Sequence, residues 1–164
     1  MFRSIFGLFL VLICAGCGDG VYHEHALLVP QNDAEMNQAM AEARRTLPEF
    51  WKALESPEGA SGFALKIEFT DDAGTEFLWL HSIARDEEGN LQGTVNNYPN
   101  AVRNVSHGQR IEVPLDKIRD WLYVRDGKIH GNFTVQPLLA RLPSEDAKKI
   151  RVKHAALRKK ADAK

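Results

Sequence analysis

Cysteine is almost missing from this chain: Cys14 and Cys17 are the only two, and both lie near the N-terminus. Nothing after Cys17 can form a disulfide framework or a thiolate site, so stability must come from the core. No Gly-x-Ser-x-Gly, phosphate loop or dinucleotide fingerprint occurs, and there are no repeats or low-complexity tracts. Net charge is only −1, which removes any global pull toward nucleic acid. No apolar run approaches the roughly 20 residues that a membrane span needs.

The first residues have their own character. Arg3 gives a positive start, Ile5 to Ile13 is a short apolar stretch, and Cys14-Ala15-Gly16-Cys17 follows. This fits a secretion signal over 1–16. Ala15 and Gly16 before Cys17 resemble the lipobox of bacterial lipoproteins, with Cys14 standing where that motif usually has an aliphatic residue. The resemblance implies lipid attachment at Cys17, a membrane anchor and a place in the cell envelope facing the periplasm; the alternative is a soluble periplasmic or secreted protein. Residues 17–32, with Gly, Pro and polar residues and no clean period, read as a tether.

From Asp33 the pattern is that of one domain. Met36, Met40, Ala43, Leu47, Phe50 and Leu54 recur at helical spacing, with Asn32 or Asp33 as cap; Pro48 implies a kink or a second short helix there. The period then becomes two. Phe63, Leu65, Ile67 and Phe69 mark a strand, Glu76 to Ala84 a more apolar and hence central one, and Leu91 to Asn96 a third, with Gly93 at a bulge or close approach. Short strands are expected at Arg110 to Val113, Asp120 to Val124 and Lys128 to Thr134, with helical turns at Leu115 to Ile118 and Leu138 to Leu142. Ser144 caps a last helix reaching about Lys160. The fold class is α+β: an N-terminal amphipathic helix on a curved antiparallel sheet or half-barrel of five to six short strands.

Charge divides along the chain. Residues 144–164 carry a net +5 and residues 18–143 a net −7. The basic segment 143–164 is either a solvated helix face or a patch lying on anionic lipid. It has no interleaved aromatics, so nucleic acid is not expected as a partner.

Several segments together are similar to the YegJ-like family of bacterial domains of unknown function. They are Met36…Ala43-Arg44…Phe50, Phe77-Leu78-Trp79-Leu80, Leu91 to Pro99, Gly108-Gln109-Arg110-Ile111, Ile118-Arg119-Asp120-Trp121-Leu122-Tyr123 and Gly131-Asn132-Phe133-Thr134. The resemblance covers roughly 33–140 and implies fold and family, with no established activity; the domain is taken as 33–142.

Chemistry-bearing residues are few. Trp79, Asn97, Tyr98, Pro99, Asp120 and Trp121 form the candidate binding surface: an aromatic platform beside a carboxylate, and a polar loop. Each has a structural reading too, with Trp121 as core anchor, Asp120 capping a backbone turn and Asn97 serving a tight turn. His81, His130 and Asp120 would make an acid–base or metal cluster if their strands brought them together. Paired carboxylates at Asp71-Asp72 and Glu87-Glu88 fall in turns. No catalytic residue, resident metal or cofactor is assigned. The expectation is a lipid-anchored, non-enzymatic binding or scaffold domain with a protein or peptide partner. The alternatives are an envelope enzyme or metal binder using His81, His130 and Asp120, and a toxin-immunity-type protein whose acidic body meets a basic toxin.

Overall fold

A computed structural model describes residue 30 and residues 32–162. The leader, Cys17 and nearly all of the tether lie outside the described residues. Helix α1 spans Ala34–Glu55, and the Asp33 side chain caps it by accepting from the Met36 amide at 2.8 Å. Pro48 lies inside this helix, so the expected second short helix does not form. The amide bond that Pro48 cannot give would have gone to the Arg44 carbonyl, four residues earlier; both residues are exposed, where water can serve instead. Helix α1 buries Met36, Met40, Ala43 and Phe50 of the periodic face read from the sequence, together with Thr46 and Ala53, while Leu47 and Leu54 are half-buried.

Six antiparallel strands follow: β1 (Ala60–Asp71), β2 (Gly74–Arg85), β3 (Leu91–Val95), β4 (Arg110–Glu112), β5 (Ile118–Arg125) and β6 (Lys128–Gly131). They form one open sheet in the order β4-β3-β2-β1-β5-β6. The two long strands sit at its centre, as their apolar content implies. A 3-10 turn (Leu115–Lys117) precedes β5, a short helix α2 (Val135–Leu139) follows β6, and α3 (Ser144–Asp162) closes the chain.

Alternation sorts the side chains onto two faces. Leu65, Ile67, Leu78, Leu80, Val95, Trp121 and Tyr123 pack with Phe50 and Ala53 of α1 in the main core. Val102 and Val105 from the long β3–β4 loop join the same core. Gly93 marks a close approach: a Cβ there would stand 2.9 Å from Ile83 and 3.0 Å from Leu80 side-chain atoms. The other alternation puts Ala64, Trp79 and Leu122 in a second small cluster with Ile129. Helices α1 and α3 pack against β1 and β5, with α3 also reaching β6. Arg141 pins the end of α2 to the start of α1, bridging Asp33 and Glu35 at 2.7 Å; Asp33 is held below the usual carboxylate range mainly by that Arg141 bond.

Candidate binding surface

Buried polar side chains concentrate in two places, and the first is where β1 meets β5. Lys66 stands opposite Asp120 across these strands, with exposures of 2% and 0%. The Asp120 carboxylate accepts from the backbone amides of Trp121 (2.8 Å), Phe133 (3.2 Å) and Thr134 (2.9 Å), and from the Thr134 hydroxyl (2.7 Å). Lys66 Nζ donates to the same hydroxyl oxygen at 2.5 Å and lies 4.7 Å from the Trp79 ring centroid. Burial pushes Lys66 down to about 8, with Asp120 pulling the other way.

This network explains the Gly131-Asn132-Phe133-Thr134 segment. Gly131 has φ +74° and no room for a side chain, since a Cβ would meet the Trp121 carbonyl and ring. Asn132 takes φ +60° and donates its amide to the Trp121 carbonyl at 2.7 Å, a conformation that Asn tolerates better than most residues. Phe133 meets the Trp121 ring edge-on at 5.7 Å. On the far side, the Trp121 indole donates to the Ala43 carbonyl of α1 at 2.8 Å. The segment is a clasp that closes the chain after β6 onto β5.

Four of the six candidate surface residues are therefore internal. Trp79 and Trp121 are each 1% exposed, Asn97 3% and Asp120 0%. A large ring on a central strand is drawn into the core, and a carboxylate that serves three amides cannot also meet a ligand. Trp121 as anchor and Asp120 as backbone cap describe what these residues do. The His81, His130 and Asp120 cluster does not form either. The strand order puts β1 and β5 between β2 and β6, about 14 Å at the usual strand spacing. His130 stacks on Tyr123 at 4.8 Å, while His81 Nδ1 meets the Ser82 hydroxyl at 2.8 Å. No group of three His, Cys, Asp or Glu among the described residues could hold a metal ion.

The second polar region is the β3–β4 loop. Asn97 Oδ1 accepts the Trp79 amide at 2.6 Å. Glu76, fully buried, accepts from the amides of Asn100 (2.9 Å), Ala101 (2.8 Å) and Val102 (3.3 Å). Asp71 accepts from Arg103 (2.6 Å) and Asn104 (3.1 Å), and these amides, with that of Ala73, hold it below the usual carboxylate range. Gln109 closes the loop on the Ser106 amide at 2.9 Å. Asp71, a turn residue by sequence, is thus also a loop brace.

Out of this braced loop stands Tyr98, 68% exposed, stacked on His107 at 4.1 Å, with half-buried Pro99 beside it. His81 adjoins the pair: burial first, and the neighbouring His107 second, lower it below its ordinary range. The β2–β3 ladder shifts register between His81 and Ala84, and Ser82 there has φ +52°. Bulges of this kind re-aim side chains, and a non-glycine residue at positive φ is uncommon. Sequence reasoning found Tyr98 and Pro99 and, through Gly93, a bulge or close approach in this ladder; it did not pair His107 with Tyr98 or place the bulge at Ser82, because a stack and the strand that carries the extra residue depend on long-range pairing.

The arrangement defines a small α+β domain with an internal clasp and an exposed, rigidly held aromatic loop. The chain belongs to the bacterial family described as "Uncharacterized protein conserved in bacteria (DUF2314)", which matches residues 33–156. It is 35% identical over 118 residues to "Uncharacterized protein YegJ" of Escherichia coli (strain K12), covering 72% of this chain and 76% of that protein. It is 32% identical over 138 residues to "Putative ankyrin repeat protein NMB1133/NMB1171" of Neisseria meningitidis serogroup B, covering 79% of this chain and 53% of that protein. No solved structure matches it.

Proposed function

We propose that this chain is a binding domain of the bacterial cell envelope, exported on residues 1–16, anchored through lipid on Cys17 and held off the membrane by residues 17–32. It grips a protein or peptide partner with the Tyr98 loop. One observation carries the binding reading: buried Glu76 and Asn97, with Asp71, fix a loop whose most prominent side chain, Tyr98, is left in water. Exposed aromatics on preorganised loops are the usual anchors of protein contacts. The apolar stretch Ile5 to Ile13 and the lipobox-like Cys14-Ala15-Gly16-Cys17 support the anchor.

The test places a photo-crosslinking residue at position 98 of the full-length protein in intact cells, with position 58 as control. A discrete protein adduct from 98 and not from 58 is expected. Lipid adducts alone, or the same adducts from both positions, would remove the reading. Intact mass of membrane-extracted protein beside Cys17→Ser tests the anchor: a chain starting at Cys17 plus acyl groups supports it, and an unmodified soluble chain contradicts it.

A further inference from the structure

The geometry points to an acidic peptide segment as what the Tyr98 face holds; this rests on the binding reading above. Residues 18–143 carry a net −7, yet no Asp or Glu occurs from Gly89 to Ile111. The same stretch supplies Arg103, His107 and Arg110. Thr94 pairs with His81 on one side and with Arg110 on the other, and paired residues project to one sheet face. His81, Thr94 and Arg110 thus form a row across β2, β3 and β4, beside the Tyr98–His107 stack.

Apart from Glu112, the carboxylates near this row are engaged elsewhere. Asp71 and Glu76 face the loop amides. Asp86 holds the Asn90 amide at 2.7 Å and the Gln92 side chain at 2.9 Å. Glu112, exposed and opposite Gln92, flanks the row on β4. Among the described residues, neither Arg103 nor Arg110 is in a salt bridge, although Arg45, Lys117, Arg119, Arg141 and Lys149 are.

The shape argues for a chain rather than a small anion. Two clefts among the described residues lie elsewhere, one lined by Arg44, Glu68 and Arg119 and the other by Glu49, Tyr123 and Arg125. Tyr98 is exposed there, and an exposed aromatic beside Arg110 and the hydrogen-bonding rings of His81 and His107 suits an extended segment carrying carboxylates. Complementary charge of this kind directs partner choice.

The test uses the ¹⁵N-labelled full-length chain with a short Asp/Glu-rich peptide and its Asn/Gln counterpart. The acidic peptide is expected to shift the amides of residues 81, 94, 98, 107 and 110. Arg110→Gln should weaken it about three- to fivefold, as should raised salt. Equal binding of the neutral peptide at the same amides would leave the binding reading standing and overturn the acidic one. Shifts confined to residues 144–162, or none on the Tyr98 face, would also overturn it.

Discussion

The clasp around Asp120 and the loop around Tyr98 use similar residues to opposite ends. In the clasp, Lys66, Asp120, Thr134 and two Trp rings satisfy one another and leave nothing for a ligand. In the loop, Glu76, Asp71 and Asn97 satisfy the backbone and leave an aromatic pair outside. Residues rich in chemistry are not thereby functional. A side chain whose bonding capacity is filled by the fold belongs to the fold, and the one left unfilled at a costly, well-braced position is the candidate.

Breaking the clasp should have the largest effect. Asp120→Ala removes four acceptor contacts and leaves Lys66 buried without its counter-charge, so unfolding free energy should drop by about 3–5 kcal/mol in urea titration. A loss under about 1 kcal/mol would mean that the clasp is dispensable.

Lys66 sharpens the contrast through pH. Its folded value of about 8 lies below the ordinary 10.5, so the folded state binds this proton more weakly than the unfolded chain does. Stability should therefore rise as pH goes from about 8 to about 10.5, by on the order of 3 kcal/mol. Lys66→Met should flatten that rise relative to wild type. An unchanged slope would show that Lys66 is not the group responsible.

The loop brace comes next. Glu76→Ala strands three amides and should cost about 2–3 kcal/mol, with faster hydrogen exchange at Asn100, Ala101 and Val102. Unchanged exchange there would mean that the loop holds itself without Glu76.

Much of the fold is legible in the sequence. The Met36-to-Leu54 period gives α1, the alternation around Phe63 to Phe69 gives β1, and Asp-Gly at 126–127 marks the β5–β6 turn. The site is less legible. Asp120-Trp121 looks like a platform because a sequence shows residue type but not accessibility, and accessibility depends on strand order. His81 and His130 sit on strands that alternation identifies, yet their separation follows from β1 and β5 pairing between them, a long-range choice. The Tyr98–His107 stack joins two ends of one loop and has no local pattern; Gly93 signals an irregularity in the β2–β3 ladder, but that the extra residue falls on β2 at Ser82 follows from pairing. The Glu76 brace could not be read because Glu76 looks like an ordinary strand-edge acid.

The smallest effect tests the comparison most directly. Tyr98 is the loop's exposed tip, and the fold as described gives it no structural duty beyond stacking on His107. Tyr98→Ala, followed by equilibrium urea unfolding beside wild type, should change the unfolding free energy by no more than about 0.5 kcal/mol, as for surface positions in general. A loss of about 2 kcal/mol or more would place Tyr98 among the residues that hold the fold together, and the distinction between a braced loop and an idle, binding-ready tip would fail.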